Sequence, residues 1–149
     1  MLVTLLLGST SDTEHAEKIQ AVLKEFAVPS QILVASAHKV PEKVAEIIKE
    51  LNADPQPQVV IAVVGMSNGL GGVAAGGCVH PVITCPPAQS LEEYQVDLHS
   101  SLRVPSDVPV MTVLNPKNAA LAAVKILAEG DKALRKKVAE RIEKVKAQY

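Results

Sequence analysis

The chain has 149 residues, of which 48% are hydrophobic and 21% are charged, so it has the composition of a globular protein and not of a disordered one. A formal net charge of −1 and an aromatic content of 2% argue against nucleic-acid binding, and no apolar run approaches the roughly 20 residues of a membrane span. The amino terminus also lacks the basic flank of a signal peptide, so we expect one domain over residues 1–149 that acts in the cytoplasm without nucleic-acid or membrane partners.

Strand-like and helix-like segments alternate along the first half of the chain. Apolar runs predict strands over residues 2–7, 31–35 and 59–64. Two amphipathic helices separate these strands, one beginning with a capping box at Ser11 and the other with Pro41 in its first turn. This alternation is typical of strand–helix–strand units.

The second half continues the alternation and ends in a charged helix. The predicted elements, in order, are a helix over 69–77, a strand over 82–84, a helix over 91–102, a strand over 110–114, a helix over 116–128 and a helix over 131–147. Strands that are apolar throughout indicate a parallel sheet covered on both faces. The fold class is therefore predicted as α/β, a three-layer αβα sandwich with a flavodoxin- or Rossmann-like parallel sheet.

Polar, glycine- or serine-bearing turns follow the first three predicted strands, at residues 8–12, 36–41 and 65–72. In open parallel sheets, ligands bind beyond the carboxyl ends of the strands. We therefore expect these three turns to form one binding site.

The first two turns carry groups that suit a phosphorylated ligand. The hydroxyls of Ser9 and Ser11 at a helix amino terminus suit a phosphate, and Asp12 suits ribose hydroxyls, although capping alone would also explain Ser11 and Asp12. His38 carries an imidazole for proton transfer near neutral pH, and Lys39 offers a point charge for an anion. A solvated surface loop is the alternative interpretation of these last two residues.

The third turn, 65–72, has neither the spacing of a dinucleotide site nor that of a P-loop. Its first five residues fit the G-x-S-x-G pattern of esterases around Ser67, which makes an esterase an alternative. That alternative needs a later histidine, and only His80 and His99 follow in the chain. Cys78 and Cys85 have no spacing typical of a zinc site, so no metal site is predicted.

Taken together, these turns resemble motifs of the aminoimidazole ribonucleotide carboxylase family of purine biosynthesis. The resemblance covers roughly residues 3 to 127 and rests on five segments in family order: Gly8-Ser9-Thr10-Ser11-Asp12, Ser36-Ala37-His38-Lys39, Ser67-Asn68-Gly69-Leu70-Gly71, Pro81-Val82-Ile83-Thr84-Cys85-Pro86-Pro87 and Ser100-Ser101-Leu102-Arg103-Val104-Pro105.

The resemblance is to the animal-like branch, which carboxylates aminoimidazole ribonucleotide directly with carbon dioxide. The other branch is a mutase acting on the N5-carboxylated ribonucleotide, and it usually has Arg where this chain has Lys39 and a second histidine where Gly69 aligns. Met66 and the pair Ser106-Asp107 depart from the residues expected near the site of this family, which are often Arg and Ser-Gly. A mutase, or a nucleotide-binding module without activity, remains an alternative.

The resemblance also implies the roles of individual residues. It makes His38 the catalytic base and implies a homo-octamer with sites at subunit junctions, in which residues 86–109 and the last helix are interface candidates. It implies no biotin, metal or ATP, because C4 of the aminoimidazole is itself a nucleophile. The implied substrate-binding residues are Ser9, Ser11, Asp12, Ser36, Ala37, Lys39, Gly65, Ser67, Asn68, Gly69 and Leu70.

Overall fold

A computed structural model describes residues 1–87 and 90–149 of the protein. Within these residues, parallel strands form a five-stranded sheet. The strands are β1 (Leu2–Leu7), β2 (Ser30–Val34), β3 (Gln58–Val63), β4 (Val82–Thr84) and β5 (Val110–Thr112). Their order in the sheet is β2-β1-β3-β4-β5, which is the flavodoxin-like order and confirms the predicted fold class.

Helices connect the strands and continue to the carboxyl terminus. They are α1 (Thr13–Glu25), α2 (Pro41–Ala53), α3 (Gly69–Gly77), α4 (Leu91–Leu102), α5 (Pro116–Ala128) and α6 (Lys132–Lys146), and a short 3-10 turn over Thr10–Asp12 precedes α1. In the described part of the chain, no helix is both long enough and apolar enough to cross a membrane.

The two faces of the sheet bury two separate apolar clusters. Leu5 and Ile61 lie in the cluster covered by α1 and α5, whereas Leu6 and Val60 lie in the cluster covered by α2 and α3. Because successive side chains of a strand point to opposite faces, fully apolar strands can fill both clusters. Each such side chain stabilises the fold by about 1.5–3 kcal/mol on burial.

The strand and helix ends differ from the sequence prediction in small ways. β3 begins at Gln58, one residue earlier than predicted, and β5 ends at Thr112, two residues earlier. The predicted capping box at Ser11 is wrong, because the 3-10 turn starts the helical segment earlier and the side chain of Ser9 accepts the Ser11 N–H instead.

The last helix leaves part of its apolar stripe uncovered. Leu134 is buried, but Ile142 and Val145 are 40% and 44% exposed. These two side chains line a groove of about 480 Å³ whose other walls include Phe26 and Leu121.

Candidate functional site

A cavity of about 690 Å³ lies beyond the carboxyl ends of β1, β2 and β3. Parallel pairing of β1 with both neighbours places these three strand ends side by side. The lining residues are Gly8, Ser9, Ser11, Asp12, Ser36, Ala37, His38, Lys39, Val64, Gly65, Met66, Ser67, Leu70, Pro87, Glu93 and Asp97. The three predicted turns therefore converge on one cavity.

The turn after β1 supplies hydroxyls and a carboxyl group. A β-carbon on Gly8 would lie 2.8 Å from Cγ2 of Val64, so a larger residue would clash where β1 meets the chain leaving β3. The Ser11 hydroxyl donates to Oγ of Ser9 at 2.9 Å. Burial raises the pKa of Asp12, an effect opposed by hydrogen bonds from the Ser9 backbone and the Ser11 side chain.

The turn after β2 presents His38 and Lys39 to solvent at the cavity mouth. The Val40 N–H donates to the Ser36 carbonyl at 2.9 Å, which closes the turn. Nζ of Lys43 donates to the Val34 carbonyl at 2.8 Å and ties the first turn of α2 to the end of β2. Both side chains at the tip, those of His38 and Lys39, are exposed and free to meet a ligand.

The turn after β3 forms the opposite wall and is held from within by Asn68. This side chain is 6% exposed; its Oδ1 accepts the Gly71 N–H at 2.9 Å, and its Nδ2 donates to Oγ of Ser101 at 2.9 Å. Asn68 therefore caps α3 and anchors it to α4. Neither Asn68 nor Gly69 is among the described residues that line the cavity.

Gly69 nevertheless contacts the site, because the imidazole of His38 lies against it. A β-carbon on Gly69 would lie 2.9 Å from Nε2 and 3.3 Å from Cε1 of His38. Two turns that are distant in the sequence thus touch at the imidazole. The bare backbone of Gly69 gives this ring the space that it occupies.

Sequence reasoning did not identify several residues that line the cavity, among them Val64, Glu93 and Asp97. Glu93 and Asp97 belong to α4, whose bounds were predicted but whose position relative to the turns was not. Oδ2 of Asp97 accepts the Met66 N–H at 2.7 Å, a contact between residues 31 apart in the sequence. The sequence offers no signal for this contact, because α4 has no strong apolar stripe from which the direction of Asp97 could be predicted.

A second histidine, His15, is half-buried, with Nε2 3.4 Å from Sγ of Cys85. The start of α1 packs beside the end of β4, so this ring is not fully exposed to solvent. Burial lowers the pKa of His15 and raises the pKa of the Cys85 thiol to about 12. The thiol therefore stays protonated at neutral pH, which does not suit a nucleophile.

The model of the AIR carboxylase family matches residues 2–148 of the chain. The chain is 43% identical over 131 residues to a phosphoribosylaminoimidazole carboxylase of Treponema denticola, an alignment that covers 88% of this chain and 82% of that protein. A crystal structure of Treponema denticola PurE superimposes with a TM-score of 0.94 at 40% identity, covering 99% of this chain and 92% of the other.

Longer animal proteins are similar to the chain over part of their length. One is the bifunctional phosphoribosylaminoimidazole carboxylase/phosphoribosylaminoimidazole succinocarboxamide synthetase of Drosophila melanogaster, 43% identical over 130 residues. The alignment covers 87% of this chain but only 30% of that protein. The chain thus spans about a third of the length of these bifunctional relatives.

Proposed function

The chain belongs to the AIR carboxylase family, as its motifs predict, and we propose that it reversibly carboxylates aminoimidazole ribonucleotide at C4, using carbon dioxide directly. The observation that carries the proposal is the convergence of three turns on one cavity, with an exposed imidazole at the junction between two of them. The relatives named as carboxylases in Treponema denticola and Archaeoglobus fulgidus are matched over 82% and 76% of their lengths.

The proposed chemistry requires one base. C4 of the aminoimidazole is enamine-like, and its electron pair attacks the carbon of carbon dioxide to form the new carbon–carbon bond. C4 is then tetrahedral and must lose its proton, whose bonding electrons restore the aromatic ring. We assign proton acceptance to His38, because imidazole is the side-chain group best suited to general-base catalysis and this one lies at the cavity mouth. Because C4 is already nucleophilic, the step as written uses no biotin, metal or ATP.

We assign the ribose phosphate to the turns after β1 and β2. The hydroxyls of Ser9 and Ser11 lie together at the start of a helical segment, where backbone N–H groups favour anions. The Lys39 side chain faces the same cavity and adds a positive charge. Asp12 accepts from ribose hydroxyls in this arrangement, and Ser36 and Ala37, in the turn after β2, line the cavity next to His38.

We propose that the turn after β3 binds the carboxylate newly formed at C4. The hydrogen bonds within that turn limit which of its groups can donate to this carboxylate. The N–H groups of Asn68, Gly69 and Gly71 already donate to Ser100 Oγ, to the Ser67 carbonyl and to Asn68 Oδ1, respectively. The Ser67 N–H and hydroxyl are therefore the donors that we propose for the carboxylate. Gly65 and Leu70 complete the wall and help to exclude water.

Comparing two substrates tests this function against the mutase alternative. The chain is supplied either with aminoimidazole ribonucleotide and bicarbonate-equilibrated carbon dioxide or with the N5-carboxylated ribonucleotide, and the absorbance of the C4 product is followed. We expect turnover with the first pair. Turnover with the N5-carboxylated compound alone would assign the chain to the mutase branch, and binding of a nucleoside monophosphate without turnover would indicate a non-catalytic module.

We further propose that the active form is a cytoplasmic homo-octamer with residues of α4, its flanking loops and α6 at the interfaces. Support comes from apolar side chains of α4 that one chain leaves exposed, namely Leu91 (71%), Val96 (73%) and Leu102 (56%). Light scattering on the purified chain is expected to give about 126 kDa, eight times the 15.7 kDa of one chain. A mass near 16 kDa at the concentration of the assay would contradict the proposal.

A further inference from the structure

Three residues on one face of α4 hold the turn after β3 through hydrogen bonds. Asp97 accepts the Met66 N–H, and Ser100 Oγ accepts the Asn68 N–H at 3.0 Å while lying 3.1 Å from the Met66 carbonyl. Ser101, which is 1% exposed, accepts from the Asn68 side chain. The turn therefore takes its position from α4 and not only from the strand and helix that it connects.

The Asp97 contact is at the most strained point of the turn. Met66 has a φ of 55°, in the left-handed region that a residue other than glycine enters at a cost of about 1 kcal/mol or more. Its side chain is 82% exposed, so packing does not compensate for that cost. A hydrogen bond of 2.7 Å, donated by the Met66 N–H to Oδ2 of Asp97, compensates for that cost instead.

The strained turn continues directly into the residue that supports the imidazole. Gly69 follows Asn68, and its α-carbon is the surface against which the His38 ring lies. A shift of this turn toward the cavity would push the ring outward, and a shift away would leave the ring without support. The position of the imidazole thus depends on α4 through the turn.

We propose that Asp97 is a positioning residue for the carboxylation proposed above, on which this inference rests. Its carboxylate holds Met66 in the left-handed conformation and thereby fixes the turn over residues 65–68 that leads into Gly69. The hydrogen bond to Met66 is the feature that matters, rather than the negative charge. Asp97 acts on the reaction through the placement of His38.

Two replacements at position 97 separate the effect of the hydrogen bond to Met66 from the effect of the negative charge. Asp97→Ala removes the acceptor, and we expect kcat to fall about 10- to 100-fold, as for a misplaced catalytic group. KM is expected to change by less than about threefold, because the groups proposed to bind the phosphate lie on other turns. Asp97→Asn keeps an acceptor oxygen for the Met66 N–H and is expected to restore kcat to within about threefold of the parent chain.

Two further variants serve as controls. Glu92→Ala removes a carboxylate from an exposed position on the same helix and is expected to leave kcat unchanged. If Asp97→Ala does not fold, as judged by a thermal melt, Ser100→Ala takes its place, since it removes the acceptor for the Asn68 N–H. A parental kcat in Asp97→Ala or, failing that, in Ser100→Ala would overturn the proposal, and so would an Asp97→Asn variant as impaired as Asp97→Ala.

A readout without substrate distinguishes failure of this inference from failure of the proposed function. The carbon-bound protons of the His38 ring are followed by NMR and assigned by their absence in His38→Asn. We expect their resonances to shift in Asp97→Ala and to stay in place in Asp97→Asn and Glu92→Ala. If the parent chain turns over neither substrate, this pattern still supports the link from Asp97 to His38, and unshifted resonances in Asp97→Ala refute it.

Discussion

His38→Asn is expected to abolish carboxylation while leaving the fold and ribonucleotide binding largely intact. Asn is polar and close in size to a truncated imidazole, but it cannot accept a proton near neutral pH. Loss of a positioned general base lowers kcat by roughly 10²- to 10⁴-fold. The side chain of His38 is exposed at the cavity mouth, so its replacement removes no core packing. The readouts are steady-state kcat, a thermal melt, and ribonucleotide affinity by calorimetry.

His99→Asn is the matched control for that replacement. His99 is also an exposed histidine; it lies in the last turn of α4 and is not among the described residues that line the cavity. We expect its replacement to leave kcat at the parental value. Retention of more than about a tenth of the activity in His38→Asn would remove this residue from the role of proton acceptor.

Among replacements of the site's glycines by alanine, Gly71→Ala is expected to lower the free energy of unfolding the most. A β-carbon on Gly71 would overlap the methyl group of Thr84 on β4 and would lie 2.7 Å and 2.9 Å from Oδ1 and Nδ2 of Asn68. Thr84 is 1% exposed and Asn68 6%, so neither side chain can yield into solvent. Overpacking and broken buried hydrogen bonds together cost about 2–5 kcal/mol of unfolding free energy.

The neighbouring Gly72 provides the control for that experiment. A β-carbon on Gly72 meets nothing within 4 Å, and the residue lies in the same helix. Gly72→Ala should therefore keep or raise the unfolding free energy, by up to about 1 kcal/mol from helix propensity. Urea denaturation of both variants measures the difference. Equal stabilities would show that α3 does not pack on β4 as closely as described.

The sequence predicts the elements well where a periodic pattern and a clear boundary residue coincide. The helix predicted over residues 116–128 matches α5, in which Pro116 occupies the first turn and the Asn115 side chain caps the amino terminus. At Ser11 the same type of reasoning failed. Ser9 offers an equivalent hydroxyl two residues earlier, and only the geometry of the turn decides which of the two caps.

The direction of side chains within the site could not be predicted. Asn68 follows a strand end, as ligand-binding residues do, yet its amide is used entirely inside the protein. Asp97 lies on a helix without a strong apolar stripe, and its contact with Met66 depends on how α4 packs beside the sheet. Motifs locate turns at strand ends, but the packing of a distant helix decides which of their groups face the cavity.

The most direct test of this account is a crystal structure of the protein with aminoimidazole ribonucleotide bound. We predict the phosphate at the turn of Ser9 and Ser11 and a ring nitrogen of His38 within about 4 Å of C4, the reach of a proton transfer that tightens in the reacting complex. A ribonucleotide bound in this cavity with C4 facing away from His38, or bound elsewhere on the protein, would contradict the account.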